Sequence, residues 1–224
     1  MKNTKNMKMY GKNKTLIKLA LFLLGTFVNS LGIALITKAN LGTSQISGIS
    51  YVLSLKFENL SFGLITFLLN VVFLIMQIMI LKSRTDLKII AQLPVSFLLG
   101  FFVNISMGIF SFVDPNNFLA KVLFLLLGCT ILGLGISIEV APDIVKIPGE
   151  AIVFTIAREY KLDFGKVKVI FDIILVAIAL VISLIAFGSV KGIGVGTLVS
   201  ALLVGRIVNF FNGKLGNFYN KILS

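Results

Sequence analysis

The chain has 224 residues, 57% of them hydrophobic and 13% charged, with a net charge of +12. A water-soluble domain carries roughly a quarter charged residues, so this composition excludes a soluble globular domain and makes lipid the main solvent. The basic residues stand at the ends of apolar segments and in short loops, which speaks for orientation in a membrane and against nucleic-acid binding. The chain has no histidine, and Cys129 is its one cysteine. An internal disulfide is therefore excluded, and the usual proton shuttle and zinc chemistry are not expected.

The lysine-rich start, Met1 to Lys18, runs into an apolar stretch that is too long for a signal peptide and shows no clear cleavage site. It reads as a retained first span over Leu16–Ile36. Thr37 to Gly42 breaks that span. Thr43 or Ser44 is placed to cap a short helix reaching about Phe57. The second span is Phe62–Leu81, followed by a basic loop from Leu81 to Lys88. The third is about Ile89–Phe112, with Pro94 as an expected kink. Asp114 to Asn117 is a turn.

A fourth span covers about Leu119–Ile138, and Glu139 to Lys146 breaks it. Pro148 suits the first position of a helix, so a second short helix is expected from there to about Tyr160. The fifth span is Phe164–Phe187 and the sixth about Ile193–Phe211. The expected division is a basic tail 1–15, a three-span repeat 16–112, a linker 113–118, a second three-span repeat 119–212 and a tail 213–224.

The two halves repeat each other in order. Leu31-Gly32-Ile33 recurs as Leu134-Gly135-Ile136, and Ile46-Ser47-Gly48 as Ile147-Pro148-Gly149. Ser61-Phe62-Gly63 recurs as Asp163-Phe164-Gly165, which sets Asn70 opposite Asp172. Val95-Ser96-Phe97-Leu98-Leu99 recurs as Val199-Ser200-Ala201-Leu202-Leu203. If the short helices do not span, all of the 21 basic residues except Lys38, Lys56, Lys121 and Lys191 fall on one side. The positive-inside rule then puts both termini in the cytoplasm. Tandem repeats with an odd number of spans insert in opposite orientations. The expected fold is thus an all-α membrane bundle of six transmembrane helices, as two inverted three-helix repeats, each with a short re-entrant or interfacial helix.

Broken backbone at membrane depth is tolerated where protein or water surrounds it. Two short helices entering from opposite faces would present N-termini, with free N–H groups, to a polar or anionic group. The candidate substrate- or ion-binding residues are therefore Lys38, Asn40, Thr43, Ser44 and Asn70 around the first break. Asp143, Lys146, Gly149, Glu150 and Asp172 are those of the second. Glu150 either binds a cation or proton or complements its own helix dipole. Glu139 and Asp143 read as end charges beside Lys146. Asp172 lies too deep for a loop residue, with Arg206 as a partner or as a snorkelling cation. Gly192-Ile193-Gly194-Val195-Gly196 lacks the context of a phosphate loop and reads as close packing or a turn.

Asn40-Leu41-Gly42-Thr43-Ser44, Phe62-Gly63, Pro148-Gly149-Glu150, Phe164-Gly165-Lys166-Val167-Lys168 and Gly196-Thr197 through Gly205 resemble the YczE/YyaS/YitT family of bacterial integral membrane proteins. The chain is expected to be similar to the membrane-only branch, without the soluble C-terminal domain of YitT-type members. The resemblance implies a bacterial cytoplasmic membrane and no defined substrate.

The expected function is transport of a small solute, coupled to a proton or cation through Glu150 or Asp172. The alternatives are a passive channel and a scaffold or substrate-binding subunit of a larger complex. No catalysis, cofactor, metal or nucleic acid is expected. The partners are the lipid bilayer, a small solute and, as an option, further copies of the chain.

Overall fold

A computed structural model describes residues 2–82 and 87–223. Ser83 to Asp86, in the expected basic loop, lie outside the described residues. The described chain is helical, in the order α1 Lys2–Lys38, α2 Gly48–Lys56, α3 Phe62–Leu81, α4 Leu87–Ile90, α5 Gln92–Ile109, α6 Phe118–Val140, α7 Pro148–Glu159, α8 Phe164–Phe187 and α9 Val195–Leu223. Six of these stretches are long and apolar enough to cross a membrane: Lys14–Lys38, Phe62–Leu81, Lys88–Ile109, Phe118–Val140, Phe164–Phe187 and Val195–Leu223. α7 stands where the sequence places it, and α2 follows the first break but starts later than expected, at Gly48.

Local chemistry sets most of the boundaries. Ser61 accepts from the Leu64 amide (3.2 Å), Asn117 from Ala120 (2.7 Å) and Asp163 from Lys166 (2.9 Å), so side-chain caps open α3, α6 and α8. Gly188, at φ 66°, closes α8 in the left-handed region. The expected kink in the third span is a break at Ala91, between α4 and α5. Pro94 accounts for it, because its ring clashes with the carbonyl of Ile90 and it donates no hydrogen bond.

The N-terminal tail is helical from Lys2, and the C-terminal tail continues α9 to Leu223. Two expectations are corrected. Glu139 does not break the fourth span but lies within α6. Thr43 and Ser44 do not cap α2, whose N-cap is Ser47 with no side-chain cap bond. The Thr43 hydroxyl instead meets that of Thr37 (2.7 Å), and Ser44 donates to Ser47 (2.9 Å).

The centre of the bundle is the antiparallel pair α1 and α6. Gly25 lies on the backbone of Glu139, Gly32 on Leu132, Gly128 on Ile36 and Gly135 on Asn29. A Cβ at any of them would overlap its partner. In lipid, association rests on van der Waals contact, and small residues permit it. One apolar cluster surrounds this seam, including Ile36, Val103, Cys129, Leu132 and Ile147. A second joins the short helices to α3 and α8 through Val52, Phe73, Ile152, Phe171 and Ala179.

Outer helices attach to this centre in different ways. Gly63 of α3 packs on the Gly100 carbonyl of α5, and Asn104 accepts from the Gly63 amide (2.8 Å) while donating to Ser61 (2.9 Å). That seam is sealed. α9 rests on α6, and α8 on α2 and α7, but α8 and α9 form no packed seam with each other.

Candidate functional site

Each break is held by the far half of the chain. At the first, Asn40 (φ 57°) and Gly42 (φ 121°) turn the backbone away from α1. The Gly196 amide then donates to the Leu41 carbonyl (2.7 Å), and the Thr43 amide donates to the Thr197 hydroxyl (3.2 Å). Gly194 and Gly196 lie against Leu41, leaving no room for a side chain. The glycine-rich run before α9 is thus close packing, as expected.

At the second break, Asp143 (φ 48°) turns the chain after α6. Pro148 opens α7, and the Gly149 amide donates to Asn70 Oδ1 (3.3 Å). Asn70 stands about 12 Å along α3 from Phe62 at 1.5 Å per residue. The start of α7 therefore lies well inside the length of a helix long enough to span. Gln77, further along α3, donates to the Pro148 carbonyl (3.4 Å) and exchanges amide hydrogen bonds with Gln92 of α5 (3.0 and 3.2 Å).

The two breaks touch. A Cβ on Gly149 would come within 3.0 Å of Ile46 Cγ2 and 3.6 Å of Phe73. Each break also lines a cavity. One, of about 480 Å³, is lined by Thr37, Asn40, Gly42, Tyr51, Lys191 and Gly194 among others. The other, of about 210 Å³, is lined by Gln77, Lys88, Gln92, Asp143, Lys146 and Thr155 among others. The first adjoins the C-terminal end of α1 and the second that of α6. Because α1 and α6 run antiparallel, the cavities sit at opposite ends of the bundle.

The two helix N-termini differ. In α7 the Glu150 and Ala151 amides both return to the Ile147 carbonyl (3.0 and 2.9 Å), and Asn70 takes Gly149. The expectation of free N–H groups at this end is corrected, since its first turn is satisfied within the protein. In α2 no acceptor meets the Ile49 and Ser50 amides among the described residues, and the buried Ser50 hydroxyl has no partner.

A charged group lies behind α7. Glu139 of α6 is 3% exposed and accepts from Asn29 Nδ2 of α1 (2.9 Å). Half-buried Glu150 stands in the field of Lys168 and Lys146, which attract it, and of Glu139 and Asp172, which repel it. Lys168 donates to Asp172 at 2.6 Å, so Asp172 pairs one turn along its own helix and not with Arg206, which is exposed on α9. Lys146 sits 3.6 Å from exposed Asp143 and over the Phe154 ring.

The structure thus gathers Asn70, Gly149, Glu150, Asp172, Lys146 and Asp143 around the second break. Asn40, Thr43 and Ser44 belong to the first, where the Thr43 and Ser44 hydroxyls bond those of Thr37 and Ser47. Lys38 ends α1 outside the cavity lining. Sequence reasoning missed Asn29, Gln77, Gln92 and Lys168, and read Glu139 as an end charge. The available signal was a polar group inside an apolar span, which requires a partner. Among the described residues no group of three or more His, Cys, Asp or Glu is placed to hold a metal ion.

The chain is similar to the uncharacterized protein YyaS of Bacillus subtilis (strain 168), 28% identical over 192 residues that cover 84% of this chain and 89% of the relative. No solved structure matches. A family model described as a family of unknown function, DUF6198, matches residues 16–213. The chain belongs to that family.

Proposed function

We propose that this membrane protein moves a small solute across the bilayer, with the solute held between the two breaks and reached in turn from either cavity. The observation that carries the proposal is the pair of cavities at opposite ends of the bundle, each lined by one break. Broken backbone inside a spanning bundle is tolerated where it lines a cavity.

The halves act as inverted repeats. Exchanging them turns the Gly32–Leu132 contact into Gly135–Asn29, and Gly25–Glu139 into Gly128–Ile36, which supports this reading. With the basic residues inside, both termini are cytoplasmic. The cavity at Lys88, Asp143 and Lys146 then faces the cytoplasm and the one at Asn40 and Lys191 the outside. The bilayer is that of a bacterial cytoplasmic membrane. Glu150, beside Glu139, carries the coupling proton or cation, and the protein performs no chemical step.

The test is the melting temperature of purified protein against a panel of small organic anions, amino acids, nucleobases and cations, across pH and sodium. A ligand at 100 times its dissociation constant stabilises by about 2.7 kcal/mol. The proposal expects at least one stabilising solute whose effect is lost in a folded Glu150→Gln variant. A solute that stabilises Glu150→Gln as strongly as the unaltered protein would remove Glu150 from the site. Proteoliposomes that hold no gradient-driven uptake of that solute would contradict transport.

A further inference from the structure

The two short helices begin in different company. α7 has Asn70 and Gln77 of α3 at its start. The aligned residues of α8 are Asp172 and Ala179. Asp172 is bound to Lys168, and Ala179 lies against Gly48, the first residue of α2. Among the described residues no side chain of α8 accepts from the first turn of α2, and the Ile49 and Ser50 amides stay unmet.

Ser50 adds a third donor. Buried hydroxyls elsewhere in the protein return to the carbonyl four residues back, as Thr26 does to Phe22, Thr66 to Phe62 and Ser96 to Gln92. Ser50 is 0% exposed, yet its hydroxyl has no partner among the described residues. It is the third residue of α2. Helical side chains lean toward the N-terminus, so this hydroxyl stands beside the two amides. Burying an unmet donor is unfavourable, and three together call for an acceptor. The N-terminus of a helix favours one that is negative.

The approach to this turn is basic. The cavity of about 480 Å³ borders α2 at Tyr51 and Leu55, and Lys191 is the one charged residue in its lining. Ser183 of α8 fixes the Lys191 backbone, accepting from its amide (2.7 Å) and donating to its carbonyl (3.0 Å). Among the described residues no carboxylate pairs with the Lys191 head, which lies over the Phe187 ring. Ile193 lines the same cavity, and its Cδ1 would stand 2.9 Å from a Cβ on Gly48. One flexible side chain reaches from the cavity lining to the start of α2.

From this we infer that the first turn of α2 holds the carboxylate of a small monocarboxylic acid, which enters through this cavity past Lys191. The inference rests on the transport reading and names its class of solute. A carboxylate accepts from two amides and a hydroxyl at once, and bonds to an ionised acceptor are the strong ones. One lysine matches one negative charge, which favours a monocarboxylate over a phosphate. Ser50 is closed off in this conformation, so entry moves Ile193 aside. A neutral amide of the same shape brings no charge to the helix end.

The experiment titrates the melting temperature of the purified protein in detergent with sodium acetate, L-lactate and benzoate, against acetamide, lactamide and benzamide. Sodium chloride holds the ionic strength constant, so a site filled by halide would show no carboxylate effect. A saturable rise with at least one carboxylate, and none with its amide, is expected. Ser50→Ala removes a hydroxyl that bonds nothing in the unloaded protein, so without ligand it should melt no lower. Its affinity for the carboxylate should fall about tenfold or more, the worth of a hydrogen bond to a charged group. Lys191→Gln should weaken binding as well. Equal shifts from a carboxylate and its amide, unchanged affinity in Ser50→Ala, or no shift with any of the three carboxylates overturns the inference. So does a lower melting temperature of unloaded Ser50→Ala, which would give the hydroxyl a partner in the protein. Uptake of the radiolabelled carboxylate into proteoliposomes separates the two readings. Uptake that survives Ser50→Ala removes the site and leaves transport standing; binding that Ser50→Ala abolishes, without any uptake, does the reverse.

Discussion

At the residue scale, the account turns on polar side chains that an apolar interior tolerates only in company. Asn70 is 2% exposed and holds the Gly149 amide. Asn70→Leu leaves that donor unmet in a buried place, which costs about 1–3 kcal/mol. Thermal unfolding in detergent should show a clear loss for Asn70→Leu, against little change for Leu68→Ala on the exposed side of the same helix. An unchanged melting temperature would mean that the Gly149 amide has another partner. Glu139 gives a second check. Glu139→Gln should retain near-normal stability because Asn29 still donates to it, whereas Glu139→Leu leaves the Asn29 amide without its acceptor and should lower stability. If both variants melt alike, the Asn29 contact is not what accommodates Glu139.

Elements are where the sequence was most and least legible. Phe62–Leu81 and Phe164–Phe187 were read with the bounds they have. Each is an apolar run with a polar N-cap just before it, so the signal is local. The start of α2 was missed, because Thr43 and Ser44 look like caps but their hydroxyls bond the side chains of Thr37 and Ser47. No local rule distinguishes the two uses. Glu139 was misread for a related reason. A carboxylate near a span's end normally faces water, and only its Asn29 partner on α1 reveals that it is buried. The glycine seam between α1 and α6 was half visible, in the recurrence of Gly32 as Gly135. Gly25 and Gly128 gained meaning only once the helices were seen to be antiparallel. This seam yields a prediction. Gly32→Val or Gly135→Val drives a branched side chain into a partner backbone, and overpacking costs about 1–3 kcal/mol. Either should lower the melting temperature sharply. Gly213→Val, where a new Cβ meets nothing within 4 Å, should barely change it. Equal effects at both kinds of position would contradict the close approach of α1 and α6.

At the scale of the whole molecule, the antiparallel centre makes the rest follow. It sends the C-terminal ends of α1 and α6 to opposite ends of the bundle, and with them the two breaks and the two cavities. The short helices then cross-brace the halves, α2 on α8 and α7 on α3. What distinguishes the halves is chemistry, with acids around the second break and none in the first turn of α2. The order of the helices was legible in the sequence. The contact between the breaks was not, since Ile46 and Gly149 meet through folding alone. The most direct measurement is labelling of single cysteines in intact cells and inverted vesicles, in a Cys129→Ser background, with a membrane-impermeant maleimide. Asn40→Cys, in the cavity at the end of α1, should label only from outside, and Thr155→Cys, in the cavity at the end of α6, only from the cytoplasmic side. Labelling of both from the same side would put the cavities on one face of the membrane and contradict the account.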